Sequence, residues 1–137
     1  MRKNIPTDKV LLNRIYDLYF DTYIKYDKEK NRRSKIYVPI DIDYIAKKMK
    51  VEADIVFGVL YYYLNKKYSY EKKDGNVYLF AKAVGDDINC INFPLLSAII
   101  AELNTESRKY RISIGISIIA LIISIFSVIV SISWRQS

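Results

Sequence analysis

The sequence predicts an α+β protein: a small domain of three helices and short strands, followed by one long C-terminal helix that spans a membrane. Three observations carry that prediction. Apolar residues recur at helical spacing through much of the first two-thirds of the 137 residues, an Asp-Gly pair sits between two strand-like runs, and the 23 residues of 112–134 include no charge. The expected division is a folded domain over 1–82, a polar linker over 83–93, a juxtamembrane helix over 94–111, the span over 112–134 and a short tail over 135–137.

Thr7 is a suitable N-cap for a first helix of about 18 residues, with apolar positions at Leu11, Ile15 and Leu18 and a second row at Leu12, Tyr16, Tyr19, Tyr23 and Tyr26. The loop over 27–35 sets Lys28, Lys30, Arg32, Arg33 and Lys35 against Asp27 and Glu29; it reads as a solvated charge run first and a phosphate contact second. The β-rich stretch 36–40 contains Pro39, which suits a brief edge strand. From Asp41 a short helix turns Ile42, Ile45, Ala46 and Met49 inward, with Asp41 and Asp43 as cap and first-turn charge. After a turn at Lys50-Val51, a longer helix runs to about Lys67. The runs 68–72 and 77–81 are strand-like, and Lys73-Asp74-Gly75-Asn76 joins them as a hairpin.

Helix, strand, helix, turn, helix and hairpin is the order of a winged helix, and the residues around the turn resemble the helix-turn-helix pattern itself. Ile45, Ala46 and Met49 fit the first helix, Val51 the position after the turn, and Val56 and Val59 the inward positions of the second helix. Lys50 departs from the pattern, which prefers Gly there. The resemblance covers roughly residues 8–82. It implies a small winged helix of three helices plus a β-hairpin wing.

In DNA-binding relatives the second helix of the motif enters the major groove with cationic or amide side chains. Here the positions expected to face outward are Glu52, Ala53, Asp54, Phe57, Gly58 and Tyr61, and the two carboxylates would face phosphates. That face suits a contact with a cytosolic protein partner, through Phe57, Gly58 and Tyr61 with Glu52 and Asp54, or part of the domain's own packing. Nucleic acid is the alternative partner, through Lys66 and Lys67 at the helix end, Lys72 and Lys73 on the wing, and Arg32 and Arg33 in the first loop. The net charge of +7 suits nucleic acid or anionic lipid without choosing between them.

Catalytic chemistry is poorly provided for. There is no His and one Cys, so a Ser-His or Cys-His pair and a thiolate or imidazole zinc site are excluded, and so is an intrachain disulfide. Cys90 has no nearby base and reads as an inert thiol. Asp86 and Asp87 lack the Gly and further oxygen ligands of a calcium loop. No catalytic residue, metal or cofactor is expected.

At about 1.5 Å per residue the 112–134 run reaches roughly 34 Å, slightly more than the hydrocarbon core of a bilayer. Arg108, Lys109 and Arg111 precede it and Arg135 follows it, which predicts an N-terminal domain in the cytoplasm and a single-pass tail anchor in the cytoplasmic membrane. Tyr110 and Trp134 sit at the two borders. Ser113, Ser117, Ala120, Ser124, Ser127 and Ser131 follow a 4, 3, 4, 3, 4 spacing. Such a stripe allows close approach of a second helix and hence self-association or a partner helix; each hydroxyl can also bond back to its own helix carbonyl. The function expected is a non-enzymatic, membrane-tethered interaction module that clusters through its span. The alternatives are a membrane-bound transcription regulator and a small oligomerising membrane effector.

Overall fold

The computed structural model describes residues 5–137, so the first four positions of the 1–82 region lie outside the described residues. The chain is α+β, with two small antiparallel sheets and a long C-terminal helix. It divides into two compact units, Met1–Ala101 and Glu102–Ser137.

The first helix, α1, is Asp8–Glu29, and the Thr7 side chain accepts a hydrogen bond from the Val10 N–H as its cap. Leu11, Leu12 and Ile15 are fully buried, while Leu18, Tyr16, Tyr19, Tyr23 and Tyr26 are half-buried, so both apolar rows face the core. The helix ends at Lys30, which takes the left-handed conformation (φ 42°) and donates to the Tyr26 carbonyl at 2.8 Å. Strand β1, Tyr37–Pro39, lies at a sheet edge, where the missing Pro39 N–H costs nothing. Asp41 caps α2 (Ile42–Met49) by accepting from the Tyr44 N–H at 3.0 Å. The Asp41 N–H in turn donates to the Tyr19 hydroxyl oxygen at 2.7 Å, which ties α1 to the start of α2. Burial raises the Tyr19 pKa above its ordinary value.

Lys50 closes α2 with φ 56°, and the Val51 N–H reaches back to the Ala46 carbonyl at 3.0 Å. This is the left-handed helix stop that glycine adopts without a Cβ penalty. Lys50→Gly is expected to stabilise the domain by about 0.5 kcal/mol, because relief of left-handed strain of about 1–2 kcal/mol outweighs the added freedom of the unfolded chain. A rise in Tm of roughly 2–4 °C on thermal unfolding is the expected readout; a fall would show that the Lys50 side chain supports the turn.

The third helix, α3, runs over 53–68 in three parts: α-helix Ala53–Gly58, a π-helical stretch Val59–Leu64, and a final α-turn Asn65–Tyr68. Two hairpins follow, where the sequence predicts one. The first, β2 (Tyr70–Lys72) with β3 (Gly75–Val77), has a two-residue loop, Lys73-Asp74, and among the described residues pairs with no other strand. The second, β4 (Phe80–Val84) with β5 (Asp87–Asn92), turns at Gly85-Asp86 with Gly85 at φ 63°. The sheet order is β1-β5-β4, so β5 is its central strand. The stretch 83–93 is therefore not a linker: Cys90, Ile91 and Asn92 are buried within it. Burial pushes the Cys90 thiol up to about 11, which keeps it protonated and unreactive.

The last helix, α4, is Phe93–Gln136, starting one residue before the expected 94. Asn92 is buried because its side-chain oxygen accepts from the Leu95 N–H at 3.1 Å and starts this helix. The first turns of α4 belong to the core through Phe93, Leu96, Ile99 and Ile100. The Phe93 ring stacks on Tyr23 at 4.7 Å and on Tyr16 at 5.1 Å between centroids.

Candidate partner-binding surface

The π-helical stretch decides which face of α3 meets solvent. Its wider turns suit a buried row spaced by four, and Val56, Leu60 and Leu64 fill that row. Leu60 thus takes the inward place that the resemblance assigns to Val59, which is half-buried. Glu52 and Asp54 are exposed, as expected of outward positions. Phe57, Gly58 and Tyr61 are half-buried instead, and the Phe57 and Tyr61 rings lean on β4. The Phe57 ring meets Phe80 edge-on at 5.9 Å and stacks on Tyr61 at 5.4 Å. Tyr62 and Tyr63, at 71% and 53% exposure, are the most open large hydrophobic side chains of α3, and the helical spacing alone does not single them out.

Lys82, on β4, completes this cluster. Its Nζ lies 4.2 Å over the Tyr61 ring and 6.0 Å from the centre of Phe57, within the range of cation–π attraction. Beside it is an open groove of about 400 Å³, lined by Tyr61, Asn65, Tyr78 and the β4 residues from Phe80 to Ala83. Asn65 fixes one wall: its side-chain oxygen accepts from the Phe80 N–H at 3.0 Å and from the Ser69 hydroxyl at 2.7 Å. The Ser69 oxygen accepts from the Leu79 N–H at 3.1 Å, so the start of β4 is clamped to the end of α3.

The basic residues fall into two groups. Arg32 is spent internally: its guanidinium donates to the carbonyls of Thr22, Ser34 and Lys35 at 3.1, 2.9 and 3.0 Å, with a longer 3.5 Å approach to that of Tyr23, and covers the Tyr26 ring at 4.7 Å. It straps the following loop to the side of α1 at Thr22, with its donors turned to backbone carbonyls, and partial burial draws its pKa down. The Arg33 N–H donates to Asp87 at 3.2 Å, and its side chain crosses Gly85 so closely that a Cβ there would lie 2.9 Å from Arg33 Cδ. Arg32 is thus structural, whereas Arg33 is exposed, with its side-chain stem against Gly85. Lys67 pairs with Asp8 at 3.3 Å, which raises its pKa. Lys66, Lys72 and Lys73 are exposed, the last two on the β2–β3 hairpin, where Lys72 lies 5.8 Å over Tyr70.

Asp41, Asp43, Asp86 and Asp87 line one open groove of about 570 Å³. Among the described residues no three His, Cys, Asp or Glu side chains converge as a metal-binding set.

The second unit is one exposed helix, and α4 is long and apolar enough to cross a membrane. Within it Ser117, Ser124 and Ser127 donate to the carbonyls of Ser113, Ala120 and Ile123 at 2.9 to 3.0 Å, which satisfies those hydroxyl donors inside the helix. Arg108, Lys109 and Arg111 are exposed at one end of the charge-free stretch and Trp134 at the other. Against known proteins, no family model, no curated protein and no solved structure matches this chain.

Proposed function

We propose that this chain is a non-enzymatic, membrane-tethered interaction module: a winged-helix domain on the cytoplasmic face of the cytoplasmic membrane that recruits or modulates a protein partner, with copies clustered through the span. The observation that carries this reading is the unbroken helix Phe93–Gln136, which begins in the core of a folded unit and ends in 23 uncharged residues long and apolar enough to cross a bilayer. The winged-helix reading is supported by the order helix, strand, helix, turn, helix and hairpin, with β4–β5 as the closing hairpin and β1 paired onto it. It is also supported by Lys50, left-handed at the position where the pattern favours Gly. Three cations before the span against one after it favour a cytoplasmic domain.

Two measurements test the proposal. In sealed right-side-out vesicles an N-terminal tag is expected to resist protease until the bilayer is opened; cleavage in intact vesicles overturns the orientation. A photo-crosslinker at Tyr62 is expected to give a discrete adduct with another protein, and the absence of any adduct beyond the chain itself overturns recruitment at this face.

A membrane-bound DNA-binding regulator is a second reading, favoured by the almost fully exposed β2–β3 hairpin carrying Lys72 and Lys73. It requires the full chain in nanodiscs to bind random duplex DNA with an affinity that falls steeply with salt and weakens in Lys72→Ala, Lys73→Ala. No binding at low salt removes it.

A further inference from the structure

We infer that the outer edge of β4 is a docking site for an extended, acidic segment of a partner protein, added to the sheet as a further strand. The inference rests on the recruitment reading above and names its chemistry. The order β1-β5-β4 leaves two edges. The β1 edge is three residues long and blunted by Pro39. The β4 edge is five residues long and has no proline; its first amide, that of Phe80, is already bonded to Asn65, and from Ala81 onward no strand among the described residues lies along its outer side. Such an edge is a template for strand addition.

Three features shape what it accepts. Ala81 and Ala83 flank Lys82 with short side chains, so the bulk beside the strand comes from Tyr61 and Tyr78. The ladder to β5 pairs Phe80 with Ile91, Ala81 with Cys90, Ala83 with Ile88 and Val84 with Asp87, but skips Lys82 and Asn89. Asn89 is left-handed at φ 52°, and its carbonyl accepts from the Ile40 N–H at 2.9 Å instead. The groove beside β4 offers the Tyr61 and Tyr78 rings as apolar walls for alternate side chains of an added strand.

Charge selects the occupant. Lys82 forms no ion pair among the described residues, and its ammonium is held over Tyr61, so it presents an uncompensated cation in the middle of the edge. Pairing of two β4 strands from two copies, centred on Lys82, sets the two ammonium groups opposite each other, and like charges directly opposite destabilise a strand pair. A carboxylate on an incoming strand meets Lys82 favourably.

The test uses the full chain in nanodiscs and a fluorescent peptide of alternating Glu and Val, with two comparison peptides. One carries Lys for Glu, and the other carries Pro at its central Val positions, which removes backbone donors. The Glu-Val peptide is expected to bind saturably and to slow hydrogen exchange within Phe80–Val84. The proline peptide is expected to bind at least about tenfold more weakly, and Lys82→Glu to weaken the Glu-Val peptide similarly while admitting the Lys-Val peptide. Absence of saturable binding, equal binding of the proline peptide, or indifference to Lys82→Glu overturns the inference. A crosslinked partner whose recovery survives Lys82→Glu also overturns the edge as the contact, while leaving recruitment itself standing.

Discussion

Phe93→Ala is expected to cost the first unit about 3–5 kcal/mol, a large part of the 5–15 kcal/mol by which a domain of this size is stable. Phe93 joins the central strand to the long helix, and its ring is 1% exposed. It stacks on Tyr23 and Tyr16 and tilts against Phe20 at 6.4 Å, so truncation forfeits three aromatic contacts of about 0.5–1.5 kcal/mol each as well as buried area. The Phe93 N–H donates to the Ile36 carbonyl at 2.9 Å, and that bond survives the substitution, so the loss reads out side-chain packing alone. Faster exchange is expected at the amides of α1, β5 and the first turns of α4, where Leu96 and Ile99 are buried. Flotation with lipid should be unaffected, because the apolar stretch is unchanged. Phe93→Leu should cost much less. Unaltered exchange in Phe93→Ala would mean that α1 and α4 are held together by other contacts.

The parts of the fold that depend on local chemistry were legible in the sequence. Thr7 and Asp41 cap the helices they precede, Pro39 falls on an edge strand, and the chain turns at Lys50, whose left-handed conformation a lysine does not announce. The β4–β5 hairpin was not, because Gly85, Asp86, Asp87, Asn89 and Asn92 give it the composition of a loop. Its burial also does not alternate, since β5 is the central strand and Cys90, Ile91 and Asn92 are all enclosed. The Gly85-Asp86 pair was the available signal, a two-residue turn with glycine at the position that needs positive φ. Asn92 reads as a surface residue until its role as the cap of α4 is seen. On the candidate surface, Phe57 and Tyr61 were legible as an aromatic pair, but their lean onto Phe80 and Lys82 is tertiary. The π-helical stretch that opens Tyr62 and Tyr63 to solvent follows from seating Leu60 and Leu64 in the core, and no local motif announces it. Arg32 shows the converse: a cation in a charge-rich loop looks available, yet its donors serve carbonyls of Thr22 in α1 and of the following loop.

Ile119→Arg with Ile123→Arg is expected to release the chain from the bilayer. Both positions lie near the middle of 112–134. The 14 Ile, Leu, Val and Phe residues of that stretch contribute at most about −0.3 to −0.6 kcal/mol each, a total of roughly −4 to −8 kcal/mol, against which its serines count. The cost of those serines is reduced because Ser117, Ser124 and Ser127 donate within the helix. Each arginine adds about 2.5–3.5 kcal/mol at the centre and removes the isoleucine contribution, so the pair brings insertion to the point of balance or beyond it. A single substitution leaves the total favourable or close to zero, which is why the pair is the informative variant. Ile119→Leu with Ile123→Leu preserves the apolar sum and is expected to float with lipid after carbonate extraction, while the arginine pair remains at the bottom of the gradient. The first unit has its own core, so its exchange pattern should be retained in the released chain. If the arginine pair still floats after extraction, the helix does not cross the hydrocarbon: it lies along the interface, where the guanidinium groups stay hydrated.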